Sequence, residues 1–200
     1  MEFFKYGEVE LIFLKKKDRK LGAAIDRIGL IEREVIPDLF SALINSIVGQ
    51  QISAKAAATV YHRMQERFGA ITPQKIASAT IAEIQQCGLS TRKAGYIKGI
   101  GTAVAEGTLN LSVLAALPDD EVIQRLSALN GIGEWTAEML LIFSLERPDV
   151  VSWGDLAIQR GMIHLYGLRK LSRSQFERYR RRYSPYGSVA SLYLWALAKK

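Results

Sequence analysis

The sequence predicts an all-α fold. Apolar residues recur at helical spacing through most of the 200 residues, whereas period-two alternation appears only from Val9 to Leu14. Capping residues and Gly or Pro breaks punctuate the helical stretches. Helical periodicity covers Lys20–Ile28 and Asp38–Val48, and then Ala54–Phe68, which stops at Gly69. Thr72-Pro73 opens a helix over Pro73–Ala79, and Ile81–Cys87 runs into Gly88. Ser90 is the natural cap of Thr91–Glu106. Leu117-Pro118-Asp119 breaks the chain before Asp119–Leu129, and Asn130-Gly131 separates that helix from Glu134–Ser144. After Arg147-Pro148 come Leu156–Tyr166, Arg173–Tyr183 up to Ser184-Pro185, and Gly187–Ala198.

No low-complexity linker separates domains, so the polar Arg147-Pro148-Asp149 stretch is the best boundary. This gives a central lobe of residues 36–147, with a helical hairpin at about 119–146, and a second lobe of residues 1–35 plus 148–200. Periodicity alone leaves the N-terminal segment free to pack with either lobe. A hydrophobic content of 48% suffices for one domain or two small lobes.

A net charge of +7 and a pI near 9.5 favour a polyanionic partner through counterion release. The single cysteine, Cys87, excludes an intramolecular disulfide and a four-cysteine zinc or iron–sulfur centre. That usage fits a reducing, cytoplasmic setting. No run reaches the roughly 18 apolar residues of a membrane span, and no signal-peptide pattern opens the chain. His62 and His164 lack ligand spacing and read as structural residues. The basic runs Lys15-Lys16-Lys17 and Arg178 to Arg182 read as solvated faces that attract a polyanion.

Two segments carry chemistry. Leu129-Asn-Gly-Ile-Gly-Glu-Trp-Thr-Ala137 places a Gly-Ile-Gly turn between two helices, where backbone N–H groups at a helix N-terminus hold an anion. Phosphate is the natural guest. Asp155 opens the helix beginning at Leu156, with Gly154 before it leaving room for a ligand. A Gly-x-Gly corner alone serves many folds, and an aspartate at that position also makes an ordinary N-cap. Together they point to chemistry on DNA.

With Ser46-Ile-Val-Gly-Gln-Gln-Ile-Ser53, Gly154-Asp-Leu-Ala-Ile-Gln-Arg-Gly161 and Ser184-Pro-Tyr-Gly-Ser-Val-Ala-Ser-Leu-Tyr-Leu-Trp195, the chain from Asp38 onward resembles the helix-hairpin-helix DNA glycosylases. Within them it is similar to the alkylbase enzymes of the 3-methyladenine DNA glycosylase II type. The resemblance implies two helical lobes with the active site in the cleft between them, a monomer, and a duplex-DNA partner carrying a damaged base. It implies that Asp155 is the catalytic carboxylate, stabilising the positive charge that builds on the sugar as the N-glycosidic bond of a flipped nucleotide breaks. Trp135 stands where strand-cleaving relatives carry a lysine, which implies hydrolysis without lyase chemistry, since Lys93, Lys98 and Lys170 do not match that position. Trp135 and Tyr186 are the implied base-pocket rings, because an electron-poor alkylated base gains from stacking; Met139 stands where such relatives carry a further aromatic, and Trp153 is a candidate by its adjacency to Asp155. Gln51 is the implied plug of the emptied stack, with Gln50 and Ile52 as alternatives. Gly131, Ile132, Gly133, Glu134, Thr136 and Arg92 are the remaining implied DNA contacts. The main-chain carbonyls of Ser127, Leu129 and Ile132 are candidate ligands for a Na+ or K+ ion, and no other cofactor is expected. The scaffold also suits a different base, such as uracil, hypoxanthine or an oxidised purine, and a non-catalytic hairpin module is the reading from outside enzymology. Asp155 separates that module from an enzyme.

Overall fold

The computed structural model describes residues 2–198, and these form thirteen helices and a two-stranded ribbon. Contacts divide the chain into two units, one made by the chain up to Val35 together with the chain from Leu141 onward, the other by Ile36–Leu140.

In the first unit, β1 (Glu2–Phe3) pairs antiparallel with β2 (Glu34–Val35), Glu2 opposite Val35. The alternating stretch Val9 to Leu14 lies inside a helix, α1 (Glu8–Lys17), for which the periodicity gave no sign. Charge explains that helix better than apolar pattern does. Glu8 and Glu10 occupy its first turn and Lys15, Lys16 and Lys17 its last, each complementing the helix dipole, and Glu10 accepts a hydrogen bond from the Gly7 N–H at 2.8 Å. Leu14 is its one buried residue. In α2 (Arg19–Ile28), Asp18 caps the N-terminus, its Oδ1 accepting from the Lys20 and Leu21 N–H groups at 3.0 Å each.

The second unit begins with α3 (Leu39–Gly49), whose Leu43, Ile44, Ile47 and Val48 are fully buried. Then follow α4 (Ala54–Phe68), α5 (Pro73–Ser78), α6 (Ile81–Gln85) and α7 (Thr91–Ala105), with α7 packed on α3, α5 and α6. Thr72, Thr80 and Ser90 cap α5, α6 and α7 through their hydroxyls. The short α8 (Leu111–Ala115) is absent from the sequence reading because one turn is too brief to show a period; Asn110 caps it, and Leu114 anchors it. The hairpin is α9 (Asp119–Ser127) followed by α10 (Glu134–Phe143).

The division falls inside α10 and not at Arg147-Pro148. Leu141 and Ile142 are fully buried, the Arg147 N–H donates to the Leu141 carbonyl at 2.8 Å, and the Ser188 hydroxyl donates to the Arg147 carbonyl at 2.5 Å. These bonds tie the segment after Leu140 to the C-terminal helices.

Those helices are α11 (Leu156–Tyr166), α12 (Arg173–Tyr183) and α13 (Gly187–Ala198). Gly161 makes the α11–α13 pairing close: a Cβ there would sit 2.2 Å from the Leu194 carbonyl oxygen. Residues 187–194 of α13 are all buried, so this helix is the core of its unit. Among the described residues no helix is long and apolar enough to cross a membrane.

Candidate active site

Asp155 is the N-cap of α11 and is 6% exposed. Its Oδ1 accepts from the Ala157 and Ile158 N–H groups at 2.7 and 3.0 Å, and its Oδ2 accepts from the Trp195 indole N–H at 3.1 Å. The carboxylate therefore does cap its helix, and it does so with one oxygen. The second oxygen is aimed by a ring on α13. A buried negative charge is placed at the positive end of a helix, in a position fixed by three donors.

The approach to Asp155 is braced by the start of α13. Asp149 Oδ2 accepts from the Ser184 hydroxyl at 2.5 Å, and its Oδ1 accepts from the Gly187 N–H at 3.1 Å. Any Cβ at Gly187 would stand 2.6 Å from that Oδ1. The Val150 N–H donates to the Ser188 hydroxyl at 3.0 Å, and the Ser191 hydroxyl donates to the Val150 carbonyl at 2.9 Å. The Ser184 to Ser191 motif is thus a bracket for the irregular segment that ends at the aspartate.

Of the rings expected around the base, Tyr186 is half-buried and stands edge-on to Phe13, with centroids 5.2 Å apart. Trp153 has another occupation. Its ring packs edge-on against Phe176 at 5.1 Å with the Arg173 guanidinium over it at 5.1 Å, while its carbonyl accepts from the Gln159 amide at 2.6 Å. It anchors α12 beneath the aspartate loop.

In the second unit, the hairpin turn closes with the Ile132 N–H donating to the Leu129 carbonyl at 3.1 Å, and buried Ile132 pins it. Gly131 has φ of +89°, and a Cβ there would meet the Tyr96 ring at 2.4 Å. Gly133 accepts from the Ala137 N–H at 2.9 Å and so caps α10 without a side chain, and a Cβ there would meet nothing within 4 Å. Gly133, Glu134 and Trp135 are exposed, Trp135 to 49%, so the first turn of α10 offers its amides outward. Thr136 and Met139 are half-buried on the same helix. Gln51 and Ile52 are exposed at the tip of the loop after α3, with Gln51 at φ of +59°, while the Gln50 side-chain amide donates to the Gly131 carbonyl at 2.7 Å. Arg92 is exposed in the first turn of α7.

Residues 44–185 match the model of the HhH-GPD superfamily of base excision DNA repair proteins. The chain belongs to that superfamily. It is similar to DNA-3-methyladenine glycosylase 1 of Schizosaccharomyces pombe, at 34% identity over 80% of this chain and 72% of the relative. It is also similar to DNA-3-methyladenine glycosylase 2 of Escherichia coli, at 25% identity over 79% of this chain and 57% of that one. Among solved structures, a DNA-3-methyladenine glycosidase from Bacillus halodurans superposes with a TM-score of 0.87 at 36% identity, covering 99% of this chain and 93% of that chain. A 3-methyladenine DNA glycosylase of S. pombe in complex with abasic DNA superposes with a TM-score of 0.78 at 29% identity, covering 96% and 98%.

The span matched by the HhH-GPD model holds the Gln50-Gln51 loop, the hairpin and Asp155. Trp195 and Asp149, which the sequence reading left out of its site residues, act in the first unit, and Lys93, which it weighed only as an amine, acts in the second. Trp195 aims Asp155, and Phe143 with Arg33 stacked on it backs that ring at 5.4 Å. Asp149 fixes the segment before the aspartate. Lys93 donates from its ammonium to the Val48 and Gln50 carbonyls at 2.9 and 2.6 Å, and burial, then neighbouring Arg92, hold its pKa below the ordinary lysine value. A hydrogen-bonding ring 40 residues away in sequence, or an amine that folds back on a loop, leaves no periodic signature.

Proposed function

We propose that this chain is a monofunctional DNA glycosylase that takes an alkylated purine of the 3-methyladenine or 7-methylguanine kind out of duplex DNA and hydrolyses its N-glycosidic bond. The observation that carries this is the buried Asp155 carboxylate, held by two backbone N–H groups and the Trp195 indole. As the C1′–N bond breaks, the electron pair leaves with the base and positive charge grows on the sugar ring. A fixed carboxylate stabilises that charge more than it stabilises the ground state. Water then adds at C1′ and gives its proton to Asp155 or to solvent, leaving an abasic site with both strands intact. An alkylated purine is already cationic and departs readily, so the site needs no strong general acid. Exposed Trp135 offers a ring and no amine, and Lys93 and Lys98 spend their ammonium groups on the Val48, Gln50 and Ala77 carbonyls, which supports hydrolysis over Schiff-base chemistry.

The hairpin amides and Arg92 would hold the phosphates, and Gln51 would fill the gap in the stack. The enclosed Ser127 hydroxyl, at the end of α9, has no hydrogen-bond partner among the described residues. That suits a monovalent cation held by the Ser127, Leu129 and Ile132 carbonyls, which when bound would offset phosphate charge.

The test is a set of duplexes, each carrying one lesion, treated with the protein and then with alkali. We expect cleavage at 7-methylguanine and 3-methyladenine, little at uracil, hypoxanthine or 8-oxoguanine, and none without alkali. Asp155→Asn should lose at least about 100-fold in single-turnover excision while keeping duplex affinity. Borohydride should trap no covalent adduct. Excision by the asparagine variant at the wild-type rate would remove Asp155 from the catalytic role, and no excision of any lesion by the parent would leave only a DNA-binding module.

A further inference from the structure

The loop after α3 and the hairpin turn are joined by contacts that the proposed chemistry does not use. Helix α7 presents Lys93 and Tyr96, three residues apart and so on one face. Lys93 holds the loop by donating to the Val48 and Gln50 carbonyls at 2.9 and 2.6 Å. Tyr96 lies under the hairpin, filling the space that a side chain at Gly131 would need. Gln50 closes the triangle with its amide on the Gly131 carbonyl at 2.7 Å. Between the pinned Gln50 and the α4 cap, Ser53, sits Gln51 at φ of +59°, a left-handed backbone that non-glycine residues rarely adopt. Such a conformation persists where the surroundings over-determine it.

We infer that Lys93 and Gln50 are positioning residues, a lock that sets the Gln51 loop in its base-extruding conformation against the phosphate-holding turn before DNA arrives. The inference rests on the reading of Gln51 as the plug. Preorganisation is the physical gain, since a loop ordered in the free protein adds no ordering cost to the step in which the base leaves the stack. Hydrogen bonds from a charged donor are the strong kind, and two of them converge from one ammonium on the last carbonyls around the end of α3.

The test uses the full chain and the variants Lys93→Met, Lys93→Arg, Gln50→Leu and Gln51→Ala. Hydrogen exchange of residues 49–53 is read in the free protein. Single-turnover excision of 7-methylguanine, fluorescence of a 2-aminopurine placed as the target base, and affinity for undamaged duplex are read with DNA. We expect Lys93→Met and Gln50→Leu each to speed exchange in the loop and to slow excision and 2-aminopurine extrusion about tenfold, while undamaged-duplex affinity stays within about twofold. Lys93→Arg should restore most of the extrusion, and the double variant Lys93→Met with Gln50→Leu should lose less than the product of the two single losses. Unchanged loop exchange in both single variants overturns the lock. So does a loss of thermal stability with extrusion and excision unaltered, which would make Lys93 a helix cap and no more. Normal extrusion by Gln51→Ala together with fast loop exchange in Lys93→Met overturns the plug reading, and with it the purpose assigned to the lock, while leaving the lock itself standing.

Discussion

At Asp155 two roles share one carboxylate. An aspartate that opens a helix is by default a cap, and Oδ1 serves that role through the Ala157 and Ile158 amides. What lifts it above a cap is the second oxygen, which has its own donor in Trp195 and is not left to find solvent. This makes Trp195 a positioning residue with a distinct signature. Trp195→Phe keeps most of the packing against Phe143 and removes only the indole N–H. We expect it to lower single-turnover excision about tenfold with little change in duplex affinity, since one hydrogen bond to a charged group is worth about 1.5–3 kcal/mol. Excision and affinity measured side by side check this, and equal losses in both would assign Trp195 to packing alone. The aspartate was legible from its Gly-Asp setting, whereas Trp195 was not, because the tie to it depends on how closely α11 and α13 meet at Gly161. The same limit explains Trp153, whose neighbour in sequence is the aspartate but whose neighbours in space are Phe176 and Arg173.

At the level of elements, the hairpin glycines divide by function. Gly131 is required by the fold itself: its φ is positive and Tyr96 fills the place of a Cβ. Gly133 meets nothing in the protein, so the bare first turn of α10 is open to a ligand's approach. Gly131→Ala should therefore cost about 1–3 kcal/mol of stability through overpacking and backbone strain. Gly133→Ala should melt like the parent and yet weaken binding to every duplex, damaged or not. Melting curves and binding to undamaged DNA separate the two. A second element-level prediction comes from the joint of α2, α11 and α12. Asp18 caps α2 with one oxygen, and its other oxygen accepts from the Tyr166 hydroxyl at 2.6 Å and from Arg182 at 3.0 Å. Tyr183 shares the Tyr166 hydroxyl at 2.7 Å. Burial above all, and for Tyr166 also neighbouring Tyr183 and Asp18, pushes both phenols far above their ordinary value. The unfolded chain ionises them near pH 10, whereas the folded chain keeps them neutral, so this stability is fully present below about pH 10 and is lost as pH rises beyond it. Denaturant midpoints should fall as pH rises from about 10, and Tyr166→Phe should flatten that fall while lowering stability at neutral pH.

For the molecule as a whole, periodicity located eleven of the thirteen helices within a residue or two at most ends, and it missed α1 and α8, one patterned by charge and one a single turn long. It could not say where the N-terminal segment packs, because an apolar stripe records that a face is covered and not what covers it. The structure places that segment with the chain from Leu141 onward. Net charge is the property of the whole that composition gives directly, and at +7 it acts on DNA from a distance. Exposed Lys16 at the end of α1 and exposed Arg181 on α12 pair with no carboxylate among the described residues. If they serve the long-range field, Lys16→Gln with Arg181→Gln should slow association with duplex severalfold at low salt, and the difference should vanish once the Debye length shrinks towards about 3 Å near 1 M salt. The slope of log affinity against log salt should then stay nearly that of the parent. Each cation that touches a phosphate should by contrast remove about 0.9 from that slope when it is replaced. Stopped-flow association rates and a salt titration of equilibrium binding distinguish the two, and a slope reduced by about 0.9 for each substitution would move these residues from the field into the DNA interface itself.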